Sequence, residues 1–406
     1  MNYVEVGSKA HRRASISMLL GSIVTFAILY SPQPLIRLFS EEYHISPAAA
    51  SSSISLTTIA LGVSLLFYTV ISNLWGRKGI MSISLLLTSL FAIVSAFIHN
   101  FQSFLVFRLL EGISIAGFPA IAMAYLNEEF SPKAIGRVMG VYVAGTAIGG
   151  FVGRIVIGAL TDLFNWQIAM MTMGIISFVF SIWFWRYLPE SRNFSPKKIS
   201  AKQWIAGMKG SLSDKNLLYM FITGFLLMGG YITVLNYIGY PLTSAPYYVS
   251  QTIFGFLFVV NLGGTVSSVW FGKLADRYSR RYVIGLAIGI FILGTLMTLH
   301  HDLLIKVIGV AVVAFGFFAG HSVASGWVGA LAKKEFKAQA SSFYLLFYYA
   351  GSSLIGWSGG FFLKQFGWNG LVYYTCALLI ASIFISAQVV IPNRTLKTNA
   401  MTKCTQ

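Results

Sequence analysis

Two charged residues sit where the hydrocarbon core of a bilayer would exclude them. Arg108 and Glu111 stand three positions apart in FRLLEGISIAG, 107–117, within an apolar segment that covers 101–126. That spacing puts both on one helix face. A charge at the bilayer centre costs at least roughly 2.5 to 3.5 kcal/mol, so the pair either orients packed helices or forms a site that handles a proton or a substrate. Of the 12 acidic residues, Glu111 is the one placed within a span core. Burial favours its neutral form while the neighbouring guanidinium favours the carboxylate. A group under two opposed influences can exchange a proton as a site opens to either side.

Other polar side chains stand at similar depth. Arg154 follows Gly153 in the fifth apolar segment, and either snorkels outward or faces a central path. His321, in GHSVASGW, is the titratable residue of the tenth segment, and serves either as a hydrogen-bonded packing residue or as a second proton site. Tyr231, Asn236, Tyr237 and Tyr240 in the seventh segment and Asn261 in the eighth bring polar atoms toward an outer cavity, although tyrosines at span ends also serve as interfacial anchors.

Positioning such groups falls to helices that cross a membrane. The chain has 406 residues, 56% hydrophobic and only 10% charged. Apolar runs of about 20 residues recur between short polar breaks, which suits helices and not barrel strands of about ten alternating residues. About twelve spans follow, at 14–36, 48–71, 79–98, 101–126, 137–159, 167–187, 217–239, 250–271, 282–299, 303–330, 338–361 and 370–391. Lys9, Arg12 and Arg13 lead directly into a full-length span, so no cleavable signal peptide is expected.

The net charge of +17 has a one-sided distribution. Roughly 24 of the 29 Lys and Arg fall in the tails and alternate loops of one side, against about three on the other. This pattern places both termini in the cytoplasm and argues against nucleic acid as the partner. Cys376 and Cys404 lie in a span and in the tail, so neither a disulfide framework nor a thiolate metal site is expected. No cofactor is implied. Neither GxxxxGK[ST] nor HExxH occurs, which argues against an enzyme.

The two halves repeat at an offset of about 202 to 207 residues. Tyr30, Pro34 and Leu35 match Tyr237, Pro241 and Leu242; YVAGTAIGGFVG at 142–153 matches YYAGSSLIGWSG at 348–359; FNWQ at 164–167 matches FGWN at 366–369. The expected organisation is an all-α integral membrane protein with a six-helix bundle at 1–187, a cytoplasmic linker at 188–216, a second six-helix bundle at 217–391 and a tail at 392–406. The linker is expected to carry a short amphipathic helix around 204–208.

After the second and eighth spans come SNLWGRK, 72–78, and GKLADRYSRR, 272–281. These resemble the signature loop of the major facilitator superfamily, which implies a cytoplasmic latch made here from Asn73, Gly76 and Arg77 in one half and Gly272, Asp276, Arg277 and Arg281 in the other. Thr69 and Asn73 depart from the pattern's Gly and Asp, so the fuller latch is expected in the second half; the basic clusters also serve to fix orientation. Arg108 and Gly112 resemble the superfamily's RxxxG pattern, associated with proton coupling. Gly145, Gly149 and Gly150 resemble its antiporter glycines, with Thr146 in place of Pro, and ordinary helix packing accounts for such glycines equally.

The overall resemblance is to the drug:proton antiporter and sugar-efflux-like branch. It implies proton-coupled efflux of a small molecule by a monomer in a bacterial inner membrane, with uptake symport, lipid flipping or a non-transporting sensor as alternatives. The first span lacks the acid that many cation exporters of the branch carry. With Arg108 and Arg154 both on the path, their charge exceeds that of Glu111, which disfavours a permanently cationic cargo.

Overall fold

A computed structural model describes residues 3–5, 7–131, 134–194, 201–333 and 336–390; within these, the side chains at 69, 70, 73–75, 201–206 and 338 fall outside the description. Lipid offers the backbone no hydrogen bonds, so a spanning chain must satisfy them internally. Among the described residues the secondary structure is accordingly helical, with one isolated bridge between Val4 and Phe130.

The first bundle contains α1 (Lys9–Tyr30), α2 (Pro47–Trp75), α3 (Arg77–Ser95), α4 (Phe101–Glu129), α5 (Ile135–Leu163) and α6 (Trp166–Tyr187). The second contains α7 (Lys215–Tyr237), α8 (Gln251–Arg277), α9 (Arg280–Met297) and α10 (Leu303–Leu331). Its last helix, Lys337–Ala387, is interrupted at Gly367, where φ is 63°. Tyr374 stacks on Phe362 with centroids 3.9 Å apart, so the chain doubles back there. Residues 337–366 are therefore α11 and 368–387 are α12. The 11 long apolar helices of the described residues amount to twelve spans in two six-helix bundles.

The internal repeat extends to the helix caps. Ser8, Ser46 and Asn100 accept hydrogen bonds from the first turns of α1, α2 and α4. Asp214, Ser250 and Asp302 do the same for α7, α8 and α10. Each satisfies a backbone N–H that the helix cannot. Asn165 caps α6, and its counterpart in the repeat is Gly367, whose positive φ carries the chain from α11 into α12.

Three boundaries differ from the hydropathy reading, each with a local cause. The first span ends at Tyr30 rather than near 36, because Pro32 and Pro34 lack N–H groups; a 3-10 turn, Gln33–Leu35, and a short helix, Ile36–Glu42, follow. The fourth span breaks between Ile115 and Pro119, whose ring restarts the helix at its first turn. The eighth contains a 3-10 step, Phe258–Val260, and continues to Arg277. A connecting helix, Ala201–Ser213, is longer than the segment expected around 204–208. Residues 195–200, the tail with Cys404, and the side chain of Asn73 lie outside the described residues.

The cores follow the bundles. One buried cluster draws only on residues between Leu217 and Val389, and another on residues from Ala14 to Leu188 together with Tyr349. A third, including Phe39, Trp166, Tyr237 and Leu371, joins the two bundles at the end where α1 and α7 terminate.

Candidate functional site

Arg108 and Glu111 come together as the sequence spacing requires. They form an ion pair through Arg108 Nη1 and Glu111 Oε2, with both side chains 0% exposed. Gly112, beside them on α4, brings α2 into contact: a Cβ there would lie 2.8 Å from Ala60 Cβ and closer still to the Thr57 carbonyl. Across this contact Thr57 Oγ1 donates to Arg108 O at 3.0 Å.

The rest of the guanidinium serves backbone carbonyls. Nε donates to Ser53 O at 2.8 Å, Nη1 to Ile28 O at 3.3 Å and Nη2 to Leu29 O at 2.9 Å. Ile28 and Leu29 belong to the last turn of α1, whose carbonyl end carries partial negative charge and stabilises a cation; Ile28 O also accepts from Ser31 Oγ at 2.9 Å. Arg108 thus fastens α1, α2 and α4 together. Glu111 Oε1 makes no hydrogen bond, and the neighbouring Ser95 hydroxyl donates to Ala92 O instead. In this conformation the pair is closed to both sides of the membrane.

Arg154 faces inward, between the bundles. Its Nε donates to Gln33 Oε1 at 2.7 Å and its Nη1 to Gly150 O. The guanidinium carbon lies 4.4 Å from the centroid of the Tyr30 ring and 4.4 Å from that of Phe258, the first ring on the first bundle and the second on the other. Gln33 Nε2 continues across the interface to Asn236 Oδ1 at 2.7 Å. Neither Gln33 nor Phe258 stands out in the sequence. The available signal for Gln33 was a lone amide held between two prolines that break a span.

Beyond this junction the second bundle contributes an aromatic wall. Tyr231 stacks on Phe317 with centroids 3.9 Å apart, and its hydroxyl donates to Asn261 Oδ1 at 2.7 Å. His321 Nδ1 shares a 2.9 Å hydrogen bond with the Tyr344 hydroxyl and lies 4.8 Å from the Tyr348 ring. Tyr237 is placed differently from the cavity position expected of it: it is fully buried, and its hydroxyl bonds Ser51 Oγ at 2.8 Å and Gly356 O at 2.9 Å, tying the bundles together.

The candidate antiporter glycines divide. Added Cβ atoms would lie 2.8 Å from Leu19 O at Gly145 and 2.6 Å from Ile23 O at Gly149, so these two let α5 pack against α1 inside the first bundle. At Gly150 the nearest atom is Arg154 Nη1, at 3.6 Å.

In the candidate latch, Gly76 supplies the turn between α2 and α3 with φ 85°. Arg77 meets Glu128, at the end of α4, through Nε at 3.0 Å and Nη2 at 2.7 Å. That carboxylate is 51 residues away in sequence, so no local motif announces it. In the second half Asp276 and Arg277 are exposed, Asp276 makes no ion pair among the described residues, and Arg281 donates to Val389 O at 2.7 Å. Gly272 lies nearest Ser322 Oγ.

Several bonds cross between the bundles at the end where α1 terminates. Asp162 accepts from the N–H groups of Gln251 and Thr252, at 3.1 and 2.7 Å, in the first turn of α8. Arg37 Nη1 donates to Thr243 Oγ1 at 2.7 Å. At the other end Arg77 to Glu128 lies within the first bundle and Val390 to Asn216 within the second, while Lys78 pairs with Glu190 just beyond α6.

Known proteins share both sequence and architecture with this chain. It is 43% identical over 386 residues to an uncharacterised MFS-type transporter, YybF, of Bacillus subtilis, covering 95% of each chain. It is 38% identical to the inner membrane transport protein YnfM of Escherichia coli over 95% of this chain and 92% of that one. The crystal structure of the nucleoside transporter NupG superposes with a TM-score of 0.77 at 14% identity, over 93% of this chain and 100% of that one, a likeness of fold. The family model of the Major Facilitator Superfamily matches residues 18–264 and 240–400. With twelve spans in two bundles and relatives matched over nearly its whole length, the chain is a multi-pass membrane transporter that belongs to the major facilitator superfamily.

Proposed function

We propose that the protein is a proton-coupled exporter that works by alternating access between its two bundles, with Glu111 as the proton carrier. The observation that carries this reading is the fully buried Arg108–Glu111 pair, whose guanidinium also holds the carbonyls that end α1. The charge asymmetry of the loops sets the orientation: the basic end faces the cytoplasm, so the end clasped by Asp162 and Arg37 faces outward and is closed here.

Protonating Glu111 removes the charge that compensates Arg108. Breaking a buried pair in this way costs about 3 to 5 kcal/mol, and the strain falls on the last turn of α1. Tyr30 follows Leu29 directly and Gln33 lies three residues beyond it; Tyr30 contacts Arg154, and Gln33 contacts both Arg154 and Asn236. A proton therefore destabilises the conformation clasped on the outside and favours its opposite. One charge moving through about 100 mV supplies roughly 2.3 kcal/mol, comparable to such a bias.

The test uses everted membrane vesicles in which respiration acidifies the lumen and acridine orange reports the pH gradient. A cargo drawn from a metabolite and antibiotic panel should dissipate the gradient with wild-type protein. With Glu111→Gln the gradient should persist while cargo exchange between equilibrated compartments continues. Undiminished dissipation by Glu111→Gln would remove Glu111 from the coupling step.

A further inference from the structure

We infer that the Arg154 junction is a binding site for a flat organic anion, an aromatic carboxylate by chemical class, and that such anions are the cargo. This rests on the transport reading above and specifies what is carried. Of the three buried arginines of the first bundle, Arg77 and Arg108 each have a carboxylate partner and Arg154 has none among the described residues. Arg154 is 3% exposed and is served by one neutral amide and one carbonyl of its own helix. A guanidinium carries five N–H donors, and Nη2 makes no hydrogen bond to a described residue. Nearby, Asn236 Nδ2 is buried without an acceptor while its Oδ1 is taken by Gln33. What this junction lacks is negative charge and acceptor atoms, and a buried guanidinium left uncompensated is unfavourable.

The surroundings select the body of the anion. The Tyr30 and Phe258 rings lie against the guanidinium, and Nη2 at its edge is the donor left without a partner among the described residues. A carboxylate pairs with that edge in the guanidinium plane. An aromatic ring conjugated to the carboxylate continues the same plane, and Tyr231, stacked on Phe317 and within electrostatic reach of Arg154, offers a further aromatic surface. A cation finds no counter-charge here, because Glu111 is committed to Arg108. The site also lies on the Arg154–Gln33–Asn236 chain that spans the bundles, so a carboxylate competing for Arg154 acts directly on the interface that must open.

Binding to the purified full-length protein, measured by calorimetry without any gradient, tests this with benzoate, its neutral isostere benzamide, acetate and tetraphenylphosphonium. Wild-type protein should prefer benzoate to benzamide by roughly 10- to 100-fold, the worth of a charge-assisted hydrogen bond. Arg154→Gln should abolish that preference. Phe258→Leu, which keeps the guanidinium, should keep the preference over benzamide and reduce the preference over acetate, and it carries the test if Arg154→Gln does not fold. The inference is overturned if benzamide binds as well as benzoate, if folded Arg154→Gln retains the preference, if tetraphenylphosphonium binds more tightly than benzoate, or if no carboxylate binds. Arg154-dependent benzoate binding with no proton movement in the vesicle assay upholds the anion site and contradicts the export reading. Proton-linked export of a cation without benzoate binding does the reverse.

Discussion

Arg108 and Arg154 are both buried, yet of the two only Arg108 has a carboxylate partner among the described residues, and the proposed division between coupling and cargo recognition rests on this difference. Arg108 and Glu111 should behave as one unit. Arg108→Gln and Glu111→Gln are each expected to lower stability in detergent, and the double variant should lose less than the sum of the two by about 1 to 3 kcal/mol. A double-mutant cycle of thermal or denaturant unfolding checks this, and strict additivity would show that the pair is not energetically coupled. The pair was legible in the sequence because two charges inside an apolar run are conspicuous. Gln33 was not, because its contact with Arg154 spans 121 residues and depends on a proline-made turn directing the amide inward. Glu128 escaped for the same reason, since its partner Arg77 lies 51 residues away at the start of a different helix.

At the scale of helices, the pattern of close approach is the decisive feature. Gly149→Ala drives a Cβ into the backbone of Ile23, with Cα only 2.7 Å away, so α1 and α5 must separate. We expect it to cost about 1 to 3 kcal/mol, as overpacking does. Gly150→Ala meets nothing nearer than Arg154 Nη1 at 3.6 Å and gains helix propensity, so it should be neutral or stabilising by up to about 1 kcal/mol. Unfolding of the two variants side by side checks this, and equal losses would contradict the assigned packing. The number of spans, the repeat and the glycine-rich face of α5 were readable from periodicity. Which glycine faces which neighbour was not, because a glycine pair such as Gly149 and Gly150 differs only in direction around the helix. The caps were readable in principle, since Ser8, Ser46 and Asn100 have capping counterparts in Asp214, Ser250 and Asp302.

For the whole molecule, the proposed coupling requires an outer clasp whose closure follows the charge state of Glu111. Asp162 holds the first N–H groups of α8, a carboxylate on a helix N-terminus reached from the opposite bundle. Removing it in Asp162→Ala should weaken closure by about 1 to 2 kcal/mol, or roughly 5- to 30-fold in the closed-to-open ratio. Cysteine placed at Ala48, which is 2% exposed and packed against Gly360, would then react correspondingly faster with a membrane-impermeant maleimide. An unchanged rate would exclude Asp162 from the clasp. The two similar halves in the sequence say little about which end is shut. That follows from pairings such as Arg37 with Thr243, 206 residues apart. The most direct measurement is the distance between spin labels at Leu163 and Tyr248, which are 72% and 73% exposed on opposite bundles beside the clasp, in protein whose Cys376 and Cys404 are replaced by serine. Lowering the pH should shift the wild-type distribution toward longer distances, and Glu111→Gln should show the long distances at every pH. A wild-type distribution that ignores pH, or a Glu111→Gln variant that still follows it, would contradict the central claim.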